Sequence, residues 1–166
     1  MKAVVTGVAG FIGSHLAARL LADGYEVVGV DSFSDYYSPA LKRDNVRLLT
    51  HPCFTLVEGD LNEIQLMPIL TGCSVVFHQA GQPGVRTSWG AEFDVYVQAN
   101  IMATQRLLET ARTMDSLNRF VYASSSSVYG ESQDFPVHEE QAPQPMSPYG
   151  VSKLAADPVR AQQACG

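Results

Sequence analysis

Tyr149 and Lys153 stand four positions apart in the run Ser147-Pro148-Tyr149-Gly150-Val151-Ser152-Lys153. On a helix, that spacing puts both side chains on one face. A phenol titrates near ~10, whereas a catalytic base works near neutrality. A neighbouring ammonium stabilises a phenolate and narrows that gap. The pair is therefore a candidate proton-transfer device, and Lys153 is long enough to reach a ribose hydroxyl as well. The same spacing also describes an ordinary solvated helix face. The run Ser124-Ser125-Ser126-Ser127 favours the chemical reading. A serine hydroxyl there would hydrogen-bond a substrate hydroxyl or carbonyl and hold the reacting oxygen against the tyrosine. No histidine is placed to activate a serine, so ester hydrolysis is not indicated.

A second set of residues suits an anion. Ala3-Val4-Val5 reads as a buried strand running into Thr6-Gly7-Val8-Ala9-Gly10-Phe11-Ile12-Gly13, with glycines three and three apart. A tight turn needs tolerant dihedrals, and a diphosphate needs bare backbone to approach. A helix opening there aims its amides at the negative charge. Glycines at a plain strand–turn–helix corner look alike. The flanking strand and helix, together with Asp31 eighteen residues past Gly13, favour a dinucleotide. A carboxylate at that point accepts ribose hydroxyls and repels a 2′-phosphate, which points to NAD over NADP. Lys42 and Arg43 lie downstream, where either is a candidate host for such a phosphate.

The elements that must position these residues alternate. Strands are expected at Glu26–Val30, Phe54–Val57, Ser74–Phe77 and Arg119–Ala123. Helices are expected over Phe11–Leu21 with Ile12, Leu16 and Leu20 inward, near Leu41–Leu48, over Leu61–Leu70 despite Pro68, and over Phe93–Met114. A last helix starts at Ser147-Pro148, with serine as cap and proline in the first turn. Strand–helix alternation implies an α/β, Rossmann-type, doubly wound parallel sheet in the order 3-2-1-4-5 with helices on both faces. Ligands of such sheets bind beyond the carboxyl ends of the strands, where the serine run falls.

Composition sets the limits. The chain has 166 residues, 46% of them hydrophobic and 17% charged, which is one folded domain and not a disordered tail. Eleven cationic against 17 acidic residues give −6, so neither nucleic acid nor an anionic membrane is an expected partner. No apolar run reaches the ~18 residues of a membrane span. Cys53, Cys73 and Cys165 form no close pair and no ligand spacing. No metal site is expected, and a reducing, cytoplasmic setting is.

Thr6 to Leu16, Asp31, Gly59-Asp60-Leu61, His78-Gln79-Ala80-Gly81, Asn100, Ser124 to Gly130 and Ser147 to Lys153 together resemble the extended short-chain dehydrogenase/reductases. The resemblance is in particular to their NAD-dependent nucleotide-sugar epimerases and dehydratases, and it runs from residue 1 to about Asp157. Asp31-Ser32-Phe33-Ser34-Asp35-Tyr36-Tyr37 and Ala80 to Ser88 are similar to the UDP-glucuronate 4-epimerases within that family. The resemblance implies Ser125, Tyr149 and Lys153 as catalytic residues. It implies NAD held by Gly7, Gly10, Phe11, Ile12, Gly13, Asp31, Ser32, Asp60, Leu61, Ala80, Gly81 and Asn100, with Tyr149 and Lys153 also touching it. Arg86, Ser126 and Ser127 would contact substrate, with Arg86 suited to a carboxylate. The implied reaction is reversible hydride transfer at C4 of a nucleotide sugar, a UDP-hexuronate first among them. A homodimer is left open.

Members of that family are considerably longer. The expectation is therefore one NAD-binding domain over 1–166, lacking the substrate-binding C-terminal part, with Pro158 interrupting the last helix and strand five left as a sheet edge. A dinucleotide-binding module without turnover of its own, and another extended short-chain reductase or dehydratase, are the alternative readings.

Overall fold

The computed structural model describes residues 1–132 and 135–157. Its frame is set by β1 (Lys2–Thr6), whose Ala3, Val4, Val5 and Thr6 are all fully buried. Successive strand residues point to opposite faces, so consecutive burial means that both faces of β1 are covered. β1 pairs in parallel with β2 (Glu26–Asp31) on one side and with β4 (Val75–His78) on the other. β2 pairs in parallel with β3 (Phe54–Glu58), placing Asp31 opposite Glu58. With β5 (Arg119–Tyr122) the order is β3-β2-β1-β4-β5, as the alternation implies, and among the described residues β5 lies at the sheet edge. No helix among the described residues is long and apolar enough to cross a membrane.

Contacts divide the chain into two units: Met1–Ala80 with Arg106–Val121, and Gly81–Gln105 with the segment from Tyr122 onward. The first holds α1 (Phe11–Ala22), α2 (Pro39–Arg47) and the short α3 (Leu66–Leu70). Its core joins Ala17, Leu20 and Leu21 of α1 to Ala3, Val5 and Val27 of the sheet. The buried face of α1 differs from the expected stripe. Leu20 is buried and Leu16 packs half-buried against the core, but Ile12 is 64% exposed, and Gly13, Ser14 and Ala17 face inward as well. The cause is close packing at the start of the helix. A Cβ on Gly13 would lie 2.1 Å from the Gly7 carbonyl oxygen, so only glycine lets α1 seat against the loop, where Gly7 itself turns at φ +67°.

The expected helix over Leu61–Leu70 is confined to its last five residues, Leu66–Leu70. Asp60 turns the chain first: its carboxylate accepts from the Asn62 amide, and its carbonyl accepts from those of Glu63 and Ile64. Pro68 sits in the first turn of α3, where its missing N–H costs nothing.

The second unit holds α4 (Phe93–Tyr96), the first residues of α5 (Ala103–Ala111) and α6 (Pro148–Ala155). The helix expected over Phe93–Met114 stops at Ala111 and contains a π-helical segment, Val97–Met102. Tyr96, Asn100 and Thr104, spaced four apart, are each at most 2% exposed. A wider turn keeps such positions in line, and the Thr104 hydroxyl donates to the Asn100 carbonyl within it. The segment around Pro158 lies outside the described residues.

Gly13→Ala should lower stability by about 2 kcal/mol or more, because the clash is with backbone that cannot rotate away. Urea denaturation measures it, and an unchanged midpoint would contradict the packing described.

Candidate active site

In the first unit, the loop after β1 leads into α1 with no side chain capping the helix. Gly10 is the N-cap, in extended conformation, and the first amide to reach back is that of Ser14, to the Gly10 carbonyl. The amides of Phe11, Ile12 and Gly13 precede it and belong to the set that a helix start leaves for an anion. Phe11 is 75% exposed beside them. Asp31, buried at the end of β2, accepts the Ala9 amide on Oδ2 at 2.9 Å and the Phe33 amide on Oδ1 at 2.8 Å. A carboxylate has about four acceptor positions, so two remain for hydroxyl donors. Ser32 is exposed next to it, and so is Asp60 after β3. Leu61 is buried, and its carbonyl accepts from Arg106, whose other prong reaches the Ile64 carbonyl at 3.4 Å. Ala80 donates its amide to Thr6 Oγ1 at 3.1 Å. Bare glycine backbone, free helix amides and a two-site carboxylate fit a diphosphate and a ribose.

In the second unit, α6 begins as its sequence requires. Ser147 caps it by accepting the Gly150 amide at 3.0 Å, and Pro148 occupies the first turn. Tyr149 is half-buried and Lys153 is 5% exposed, one turn apart. The Lys153 ammonium lies 4.4 Å from the centroid of the Tyr122 ring. Burial pushes its pKa down to about 8, against a smaller upward pull from Asp157. The Tyr122 phenol is pushed up by burial, with Asp157 and Tyr149 adding to the shift.

Ser125 caps the 3₁₀ turn Ser126–Val128, accepting the Ser127 amide on its oxygen at 3.2 Å and leaving its proton to donate. Ser127 is half-buried and Ser126 exposed. The turn and α6 meet at Gly150, where a Cβ would lie 2.5 Å from the Ser127 carbonyl oxygen. The serine run and the Tyr149–Lys153 pair are therefore brought together within one unit. A cleft of about 280 Å³ is lined by Val85, Trp89, Ser127 and Met146. Arg86, next to Val85, is exposed and makes no hydrogen bond or ion pair among the described residues. The larger cavity, of about 530 Å³, is lined by Trp89, Phe93, Pro148 and Val151 and by none of the candidate catalytic residues.

Asn100, expected among the cofactor contacts, is 1% exposed and holds protein to protein. Its amide donates to the Gln82 carbonyl and to Ser152 Oγ, while its oxygen accepts the Gln82 amide at 2.7 Å. Ser152 in turn donates to the Tyr149 carbonyl at 2.8 Å. This chain fixes α6 and the Gly81–Gln82 backbone together. A Cβ on Gly81 would stand 2.9 Å from Asn100 Oδ1 and 3.7 Å from the Lys153 ammonium. Tyr96, which the sequence reading passed over, is buried with its hydroxyl among Thr87, Pro83 and Gly84, and so anchors the loop that carries Arg86. Ser152 and Arg106 also went unread. A serine on the buried face of a helix and an arginine between Ala103 and Leu107 were the available signals.

Comparison with known proteins supplies the family and the fold. A family model described as GDP-mannose 4,6 dehydratase matches residues 4–162. The chain is 47% identical over 159 residues to an uncharacterized UDP-glucose epimerase, YtcB, of Bacillus subtilis (strain 168), covering 95% of this chain and 50% of that one. It is 39% identical over 160 residues to UDP-glucuronate 4-epimerase 4 of Arabidopsis thaliana, covering 94% of this chain and 36% of the relative. Among solved structures, the UDP-glucuronic acid 4-epimerase of Bacillus cereus in complex with UDP-glucuronic acid and NAD superposes with a TM-score of 0.90 at 46% identity. That match covers 94% of this chain and 50% of that one, and it identifies the fold as Rossmann-like. The chain thus spans half or less of the length of these relatives.

Lys153→Met should stabilise the fold by up to about 3 kcal/mol at pH 7, since it removes an ammonium whose pKa burial pushes down to about 8. The unfolded chain alone binds that proton between about 8 and 10.5, so stability of the wild type rises with pH there. The advantage of the variant is therefore full below pH 8 and fades towards 10.5. Denaturation midpoints across that range measure it, and a lower midpoint at pH 7 would contradict the burial.

Proposed function

The chain belongs to the family described as GDP-mannose 4,6 dehydratase, and from that premise we propose that it carries the cofactor-binding and proton-transfer residues of an NAD-dependent nucleotide-sugar 4-epimerase acting on UDP-glucuronate. The observation that supports this reading most directly is the buried Lys153 ammonium one helical turn from Tyr149, in a chain 46% identical to an epimerase solved with NAD and UDP-glucuronic acid.

In this reading the first unit binds NAD. Gly7, Gly10, Phe11, Ile12 and Gly13 offer backbone to the diphosphate, Asp31 and Ser32 take the adenosine ribose, and Asp60 and Leu61 flank the adenine. Ala80 and Gly81 line the cofactor where β4 ends. Bound NAD supplies the acceptor and donor for the hydrogen on sugar C4. The Lys153 ammonium stabilises the Tyr149 phenolate, which takes the proton of the C4 hydroxyl and becomes the phenol. Ser125 donates to the same sugar oxygen and holds it against the phenol. The product of this half-reaction is a 4-keto sugar. After it presents its other face, Tyr149 returns the proton and the epimer forms. Ser126 and Ser127 contact the sugar, and the exposed Arg86 guanidinium takes its carboxylate. Asn100 positions α6 through Ser152. The free thiols of Cys53 and Cys73 accord with a reducing, cytoplasmic location.

In the longest natural chain bearing this sequence, Tyr149→Phe should leave NAD affinity unchanged and reduce turnover of UDP-glucuronate at least ~100-fold, the loss of a general base. Isothermal titration and coupled product analysis check the two arms. Turnover within a few-fold of the parent would remove Tyr149 from the mechanism.

A further inference from the structure

Lys42 and Arg43 both follow Asp31 in the chain, and the structure separates their roles. Lys42 is 6% exposed; its ammonium donates to Ser34 Oγ at 2.9 Å and lies 4.8 Å from the centroid of the Tyr37 ring. Arg43 keeps 48% of its side chain exposed. Its guanidinium stacks 4.3 Å from the centroid of the Phe33 ring, and the Phe33 amide is one of the two that Asp31 accepts. A guanidinium therefore stands one residue away from the carboxylate assigned to the ribose. That is where a site for a ribose 2′-phosphate keeps an arginine.

Arg43 is engaged by Glu58 through a two-pronged pair, Nη2 to Oε1 at 2.8 Å and Nη1 to Oε2 at 3.1 Å. Glu58 ends β3 and is the register partner of Asp31 across β2 and β3. It brings a second carboxylate to the same end of the sheet, and it occupies the planar fork that phosphate would need.

We propose that Glu58 is a cofactor-specificity residue, whose bidentate pair with Arg43 withholds from a 2′-phosphorylated dinucleotide the guanidinium beside Asp31. Discrimination against NADP then has two parts. Asp31 repels the phosphate and accepts the hydroxyls, and Glu58 keeps the nearby cation from compensating. The inference rests on the reading of the first unit as a dinucleotide site and goes beyond it, since it assigns a role to a residue on a strand that need not touch the ligand. The pair is half-exposed, so its effect is modest, about fivefold in affinity.

The test is a double-mutant cycle in which NAD and NADP are titrated calorimetrically into the chain, Glu58→Gln, Arg43→Ala and the double variant, each first shown to be folded by circular dichroism. Glu58→Gln should bind NADP about fivefold more tightly while NAD affinity stays within twofold. In the Arg43→Ala background the same substitution should gain less than twofold. An unchanged NADP affinity in Glu58→Gln overturns the proposal. So does an equal gain without Arg43, which would make Glu58 a repelling charge only. Failure of the folded parent to bind NAD would overturn the dinucleotide reading and this inference with it, whereas NAD binding with an unmoved NADP response overturns this inference alone.

Discussion

A buried charge must be held by groups that repay part of its lost hydration, and each unit of this chain is organised around one. In the first unit it is the Asp31 carboxylate at the end of β2. Two backbone amides, those of Ala9 and Phe33, meet its two oxygens, so the carboxylate ties the glycine loop to the segment after β2. In the second unit it is the Lys153 ammonium, which faces an aromatic ring and is only partly compensated by Asp157. The first charge is well satisfied, one amide to each oxygen. The second is under-satisfied, and burial therefore loosens its hold on its proton.

Around these charges the backbone, more than the side chains, sets the geometry. Gly13 against the Gly7 carbonyl and Gly150 against the Ser127 carbonyl are contacts that no other residue permits. One seats α1 against the glycine loop, and the other seats α6 against the serine turn. Asn100 adds the hydrogen bonds that hold α6 in register, reaching Ser152 from the π-helical segment. Tyr149 and Lys153 thus stand on a capped helix locked by buried hydrogen bonds, which hold their relative position.

Much of this was legible in the sequence because it is local. Strand order, the glycine loop, Asp31, and the cap and proline of α6 all follow from patterns within a few residues. What escaped depends on partners far away in the chain. Asn100 meets Ser152 across 52 positions, and Arg106 meets Leu61 across 45. No periodicity announces either. Of the α1 stripe read from Ile12, Leu16 and Leu20, the last two pack on the core and Ile12 faces out, because the close approach at Gly13 sets the start of the helix. The π-helical turn escaped for the same reason: it arises where buried Tyr96, Asn100 and Thr104 must share one line.

The central claim is that Lys153 is a buried cation whose proton is loosely held. Titrating the chain by NMR with ¹³C at the lysine ε-carbon, and assigning Lys153 from the Lys153→Met spectrum, measures that directly. The account predicts a midpoint at about 8. A midpoint at the ordinary lysine value of about 10.4 would contradict it.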